Sequence, residues 1–479
     1  MNFSLIFYII GWSLNAEAAF MLPPVLVSLI YGENIRAVLL SALICLICGI
    51  ALTFRRPANR YFTLKESYLT AALTWIILSL GGMLPFLLSG AITSPVNALF
   101  ESVSGFTTTG ASILADVEAV PHGILFWRSM THWIGGMGVL VFLIAIIPLF
   151  GGSKMNLMKA ESPGPSVTRI LPTAKESAGV LYRIYIFMTL LQTVLLAAGG
   201  MPLFDALTIT LGTAGTGGFG VLNDSCASYS IYAQIVITVF MILFSINFNT
   251  YFYLIRRKWK DAFSIEEVRW YLILIAVATG IIAFGIRERC ASAGQAVQQA
   301  AFQVASIVSS TGFSTADFAT WPVLACEILI FLMLVGACSG STGGGFKICR
   351  LLVLVKTLRR ELLQYVYPGS IRPVRMDGKK TSDTVVHSIH VFLGAYVMIF
   401  TASVLLISIC DSPDFLTGFT AVAATLSNIG PGLGEVGPTG NFSGFSAFSR
   451  IVLIFDMLAG RLEFFPLLLF FSPAAWRRF

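Results

Sequence analysis

With 479 residues, a mean hydropathy of +0.82 and only 11% charged residues against 56% hydrophobic ones, the chain is too apolar for a soluble globular protein, which carries roughly 25% charged residues. The lack of any polar stretch longer than about 30 residues points to one membrane-embedded body, not to the ~three soluble domains its length alone suggests. The net charge of +7 needs no nucleic-acid partner, because the basic residues sit between apolar runs as a topology signal, with anionic lipid headgroups as their other partner.

A spanning helix needs ~20 mostly apolar residues, and ten segments of the chain qualify. The first, 3–31, has no Lys or Arg before it and reads as a retained helix, not a cleaved signal. The second, 36–54, carries Cys45-x-x-Cys48, which reads as two small packing residues one turn apart and not as a redox or metal pair. The third, 68–89, is followed by Val96–Phe106, which is too short to cross, and by the polar loop Thr107–Ser112. The fourth, 124–149, begins with Arg128 and His132, for which snorkelling to headgroups is the expectation. The fifth, 178–199, leads into Leu203–Thr213, the loop Gly215–Gly220 and the sixth span, 230–255. The seventh, 268–287, leads into Ala296–Val308 and the loop Ser309–Ser314. The eighth, 322–358, is too long for one crossing and is interrupted by Gly336–Gly345, so it is expected to be broken. His387 and His390 flank the ninth span, 384–410, and read as interfacial residues, not metal ligands. Phe415–Thr425, the loop Ser427–Gly432 and the tenth span, 446–471, complete the chain.

Most basic residues fall at 55–65, 154–183, 256–269, 347–380 and 477–478. An even number of spans places all five groups on the face that holds both termini, which is therefore the cytoplasmic face.

The four outward loops repeat. Gly110, Gly218, Gly312 and Gly430 align about a hundred residues apart, too long for a solenoid repeat but fitting a span–loop–span unit. The short stretches before them read as re-entrant helices. Irregular backbone at membrane depth is tolerated only where protein buries it or where it lines water, so the loops must face one another around an axis. Backbone carbonyls aimed at such an axis replace the hydration shell of a monovalent cation. Glycine allows the positive φ that turns them inward, and the negative ends of the short helices point at the ion. The candidate ion-binding residues are Thr108, Thr109 and Gly110; Thr216, Gly217 and Gly218; Ser310, Thr311 and Gly312; and Asn428, Ile429 and Gly430. The absence of an Asp or Glu ring at these positions argues against a divalent-cation filter.

A second group forms a candidate gate: Gly336, Gly340, Ser341, Thr342, Gly343, Gly344, Gly345, Lys347 and Arg461. Unwound backbone at this depth suggests a loop below the filter that blocks the inner pore, with Lys347 anchoring it. Arg461 lies deep in the last span, ~22 Å from its start, so it must face protein or water. Glu463, two residues on, points elsewhere and is a poor partner for it. Intramembrane carboxylates are functional candidates by default; Glu101 suits support of the first short helix, and Glu327 suits either a functional role or the outer interface. Four histidines without HExxH, and the absence of any P-loop or Rossmann fingerprint, leave no enzyme signature. A cation-coupled symporter is the rival reading, but it predicts an inverted twofold repeat.

With these motifs in place, nearly the whole chain resembles the Trk/Ktr/HKT superfamily, and within it the TrkH-type channel subunits of bacterial potassium uptake. The resemblance rests on Thr107–Ser112, Phe126–Gly138, Ala160–Pro165, Gly336–Gly345, Ala424–Gly434 and Gly460–Glu463. It implies an all-α polytopic fold, with two leading helices (1–66) and four M1–P–M2 pore-loop repeats in pseudo-fourfold symmetry (67–153, 154–260, 261–365 and 366–479), the third with a broken second helix. It implies potassium as the transported ion and no cofactor bound by this chain. It further implies a homodimer in the bacterial inner membrane on a cytoplasmic, TrkA-like, nucleotide-binding regulatory ring. Glycine at all four filter positions goes with potassium in this superfamily, where serine at the first goes with sodium. The extra Gly215-Thr-Gly before Gly218, and one aligned glycine per loop, predict modest discrimination among potassium, rubidium and sodium.

Overall fold

The computed structural model describes residues 1–57, 63–138, 174–370 and 372–476. Residues 139–173 lie outside this range, and with them the end of the fourth expected span and the Ala160–Pro165 stretch; so do Arg60, Arg477 and Arg478. The described chain is almost wholly helical. Its one sheet is a two-residue hairpin, β1 (Arg375–Met376) with β2 (Lys379–Lys380), turned through Asp377 and Gly378 at positive φ.

The first expected span is α1 (Phe3–Phe20) continued by α2 (Leu22–Ile30), and the second is α3 (Arg36–Thr53). The remaining helices recur in one order: long, short, then a shorter or broken one. The first set is α4 (Leu64–Gly82) running into α5 (Leu84–Ser89), then α6 (Pro95–Phe106) and α7 (His122–Met137). The second is α8 (Ala174–Ala198), α9 (Leu203–Gly215), and α10 (Ile231–Phe244) with α11 (Phe248–Ile255). After a connecting α12 (Trp259–Ser264) come α13 (Glu266–Ile286), α14 (Ala293–Val308), α15 (Val323–Val335) and α16 (Ile348–Val366). The last set is α17 (Asp383–Asp411), α18 (Phe415–Leu426), α19 (Ala447–Arg461) and α20 (Phe465–Phe471).

Local chemistry sets these boundaries. Pro95 opens α6, and Pro121, Pro202 and Pro322 directly precede α7, α9 and α15, where a missing N–H is harmless. Ser292 and Asp414 cap α14 and α18 with side-chain oxygens, and Thr63 with Glu66 forms a capping box at α4.

Six helices among the described residues are long and apolar enough to cross a membrane, counting α1–α2 and α4–α5 as continuous. The expectation of ten unbroken or nearly unbroken spans is corrected at two places besides the foreseen break in the eighth. The sixth bends by 92° between α10 and α11, because Asn247 caps the N–H of Asn249 and starts a new helix. The tenth stops at Arg461 and restarts at Phe465, with Glu463 and Phe464 in the left-handed region between them. The break leaves Arg461 at the C-terminal end of α19, a full helix length from its start at Ala447.

The core joins the leading helices to the last ones through Ile9, Trp75, Phe106, Trp127 and Leu453. The short helices plunge into it. Phe100–Phe106, Thr208–Gly215, Phe302–Val308 and Thr420–Leu426 are buried throughout, so all four C-terminal halves end inside the protein.

Candidate functional site

Each short helix ends in the same turn. Thr108, Thr216, Ser310 and Asn428 all adopt left-handed backbone, with φ of 55°, 55°, 58° and 55°. The N–H of the next residue then donates to a carbonyl in the helix: Thr109 to Ser104, Gly217 to Gly212, Thr311 to Ser306 and Ile429 to Ala424, at 2.8–2.9 Å. This is the Schellman closure, built here on non-glycine residues whose left-handed backbone costs of order 1–3 kcal/mol each. Two positions on, Gly110, Gly218, Gly312 and Gly430 are again left-handed, at 79°, 77°, 85° and 99°. Alternating handedness turns successive carbonyls to the same side. The first two N–H groups of each triplet bond back to the helix, and no carbonyl oxygen from Thr108–Gly110, Thr216–Gly218, Ser310–Gly312 or Asn428–Gly430 accepts a hydrogen bond among the described residues.

The loops meet in cyclic order. A Cβ added at Gly110 would run into the carbonyl of Gly217, one at Gly218 into that of Thr311, and one at Gly312 into that of Ile429. At Gly430 it would lie 2.7 Å from the carbonyl oxygen of Thr109, which closes the circle. Each glycine thus abuts the carbonyl just before the glycine of the next loop. All four glycines line one cavity of about 130 Å3, together with Ser112, Ser314, Pro431 and Asn223. At its rim Asn223 donates to Asp116, and that hydrogen bond, with those from the Ala119 and Glu118 N–H groups, holds the Asp116 carboxyl below its ordinary range.

The hydroxyls divide into two kinds. Thr109 bonds Thr107 at 2.8 Å, and Thr311 bonds Ser309 at 2.7 Å. Asn428 donates to Thr109 Oγ1 at 3.0 Å and to the Met457 carbonyl, which ties the first loop to the fourth and to α19. Thr216 and Ser310 bond back to their own preceding carbonyls, whereas the buried Thr108 hydroxyl finds no partner among the described residues.

Arg128 and His132 depart from the snorkelling expectation. Both are buried. Arg128 pairs with Glu101 at 2.6 Å, donates to the Gly220 carbonyl and covers the Phe219 ring at 3.5 Å. Glu101 also accepts from Ser112 Oγ and the Ile113 N–H, so the pair clamps the first loop to the second. His132 Nδ1 bonds the Gly105 carbonyl, and its ring packs on Phe219. An internal carboxylate partner, not lipid headgroups, satisfies the arginine. Glu327 is exposed.

The Gly336–Gly345 break lies against the helix side of the loops. Gly344 N–H donates to Ser310 Oγ at 2.5 Å, and a Cβ at Gly344 would meet the Ser427 carbonyl. Thr342 Oγ1 donates to the Phe244 carbonyl, and Cys338 N–H to that of Ser245, using the α10–α11 bend as a seat. Lys347 Nζ bonds the Gly343 carbonyl, and Ser341 Oγ that of Cys338. Gly336, Gly340 and Gly345 supply positive φ at the turns. Arg461 donates to Thr342 O at 3.0 Å and to Gly135 O and Gly136 O at 2.5 and 2.9 Å, bridging this segment to α7. Glu463 pairs instead with Arg350 at 2.6 Å, in keeping with its expected divergence from Arg461.

Two buried groups and one bend in this region had no place in the sequence reading. Asp456 accepts from Ser403 at 2.7 Å inside α19, an ionisable residue in an apolar run that hydropathy alone flags. Glu267 grips the Gly336–Gly345 segment, hidden among neighbouring surface-type charges. The α10–α11 bend carries no Pro or Gly to announce it.

Comparison with known proteins agrees along the chain. The TrkH family model, described as a cation transport protein, matches residues 34–478. The chain is 34% identical over 491 residues to the Trk system potassium uptake protein TrkH of Escherichia coli (strain K12), covering 100% of both. It is 30% identical over 468 residues to that organism's Trk system potassium uptake protein TrkG, covering 95% of each. The crystal structure of the potassium transporter TrkH from Vibrio parahaemolyticus superposes with a TM-score of 0.89 at 32% identity, over 100% of each chain.

Proposed function

Because the chain belongs to the TrkH family of cation transport proteins, multi-pass membrane proteins that transport ions and are not enzymes, we propose that it is the pore-forming subunit of a potassium uptake system. The observation that carries this reading is the cyclic meeting of four loops whose backbone carbonyls find no hydrogen-bond donor among the described residues. Potassium is the substrate. It sheds water in the outer cavity and is held by carbonyls of Thr108–Gly110, Thr216–Gly218, Ser310–Gly312 and Asn428–Gly430. The four short helices direct their negative ends at the ion. The matching hydrogen bonds of the loops support a pseudo-fourfold arrangement of repeats at 67–153, 154–260, 261–365 and 366–479 behind the leading helices at 1–66.

Below the filter, Gly336–Gly345 and Lys347 form a gate, and Arg461 adds a fixed positive charge that opposes potassium. The membrane potential drives uptake through the open gate. The basic clusters support cytoplasmic termini. The protein works in a bacterial inner membrane as a homodimer. A cytoplasmic nucleotide-binding regulatory subunit moves the gate. The names of the relatives as parts of a Trk system support a multi-subunit assembly.

The test is rubidium tracer uptake into proteoliposomes under an imposed potential, with charge counted alongside. Uptake that follows the potential, at one charge per ion, supports a channel-like pore. Uptake that needs a sodium or proton gradient, with more charge moved than rubidium, overturns it.

A further inference from the structure

The gate reading leaves open what holds the Gly336–Gly345 loop in its seat, and the proposal here rests on that reading. Most contacts of the loop are between neutral groups or run from cations to its carbonyls. One carboxylate is different. Glu267, the second residue of α13 and buried, accepts from the Ser339 N–H at 2.6 Å, from Ser339 Oγ at 2.8 Å and from the Cys349 N–H at 3.2 Å. Ser339 lies in the first half of the loop, whereas Cys349 is the second residue of α16, the helix that leaves it. A single side chain therefore joins both limbs of the loop. It also satisfies one of the N–H groups that a helix start leaves open, where the positive end of the helix dipole favours an anion. Hydrogen bonds to an ionised acceptor are roughly twice as strong as neutral ones.

The residue before it faces the other way. Glu266 N–H donates to Asp377 Oδ1 at 2.7 Å, and its carboxylate takes Lys356 Nζ at 2.6 Å. Lys356 Nζ also donates to the Arg375 carbonyl at 2.8 Å. Asp377 is the tip of the β1–β2 hairpin, on the face assigned to the cytoplasm. The start of α13 is thus held from outside the membrane by the hairpin, and one residue further it holds the loop.

We propose that Glu267 is a positioning residue of the gate: it staples the loop shut at Ser339 and Cys349, and through Glu266 the Asp377 hairpin is the handle by which the cytoplasmic side moves it. Displacing the hairpin shifts the first turn of α13, draws Glu267 from the loop and frees both limbs together.

The experiment measures rubidium flux and the sodium-to-potassium permeability ratio in proteoliposomes for Glu267→Ala, Glu267→Gln and Asp377→Ala, beside a variant lacking several residues of the loop. Losing three charge-assisted bonds should raise the Glu267→Ala flux about tenfold or more at an unchanged ratio. Glu267→Gln should fall between wild type and Glu267→Ala, because its amide oxygen still accepts from both N–H groups and its NH2 donates to Ser339 Oγ, but without the charge that strengthens these bonds. Asp377→Ala, at the surface, should raise flux by a smaller factor, and serves should the buried variants fail to fold. If the loop deletion conducts faster while Glu267→Ala or Asp377→Ala remains at wild-type flux, the staple or the handle is wrong and the gate survives. Should the deletion conduct no faster, the gate reading itself falls. A Glu267→Gln variant as fast as Glu267→Ala, or a changed permeability ratio in any of these point variants, also overturns the proposal.

Discussion

Arg461→Ala removes the link between the Gly336–Gly345 loop and α7. The guanidinium donates to three carbonyls, but of these only Thr342 O belongs to the loop; Gly135 O and Gly136 O belong to α7. A hydrogen bond from a charged donor contributes ~1.5–3 kcal/mol, so the closed loop loses about that much, a shift of roughly tenfold to a hundredfold toward the open position. On the proposed gate, removing the positive charge should lower the barrier to potassium further. Rubidium flux should therefore rise by at least about tenfold, provided the closed state dominates in wild type. Selectivity should not move, because the three carbonyls it bonds, of Thr342, Gly135 and Gly136, lie outside Thr108–Gly110 and its counterparts. Arg461→Lys keeps the charge and one donor and should retain much of the barrier. The assay pairs tracer flux with size-exclusion and thermal melting to establish folding. A folded alanine variant that conducts no faster than wild type makes Arg461 a structural tie and refutes the barrier.

Deleting several residues of Gly336–Gly345 should raise single-channel conductance without altering selectivity, and an unchanged or lower conductance in a folded deletion counts against a gate. Glu101→Ala strands the buried Arg128 charge, which should destabilise the protein by about 3–5 kcal/mol, read as a lower melting temperature. An added Arg128→Met change should recover part of the loss, and a single variant that melts like wild type removes the clamp between the first two loops. In flux assays the same single variant should lower the preference for potassium over sodium, since Ser112 and Gly220 flank the two loops it joins.

The loops were legible because their signal is local. A glycine three or four residues beyond a helix end, repeated four times between apolar runs, specifies a turn whose geometry hardly depends on the rest of the chain. The break at Gly336–Gly345 was legible for the same reason. Tertiary partnership was not. Arg128 looked interfacial because it begins a helix, and nothing near it in sequence shows that Glu101, a helix and a loop earlier, satisfies it internally. The bend at Ser245–Asn247 lies in a continuous apolar stretch, so hydropathy passes over it; Asn247 as a cap is its only mark. The end of α19 was hidden likewise, since Glu463 and Phe464 adopt positive φ without glycine, and Arg350 holds Glu463 from α16. Glu267 was obscured by company: it shares a charged helix start with Glu266 and Arg269, and only folding separates the one that turns inward.

Whether four glycine loops form one potassium filter is decided by the sodium-to-potassium permeability ratio of single glycine variants. A serine Cβ at Gly110, Gly218, Gly312 or Gly430 would press on the carbonyl of the next loop, at a φ that non-glycine residues adopt at a cost of ~1–2 kcal/mol. If the ring relaxes to relieve that strain, each of Gly110→Ser, Gly218→Ser, Gly312→Ser and Gly430→Ser should raise the relative permeability of sodium, by about fivefold or more where wild-type selectivity leaves room. Ratios unchanged from wild type in all four folded variants would contradict the account, and these glycines would not be the filter.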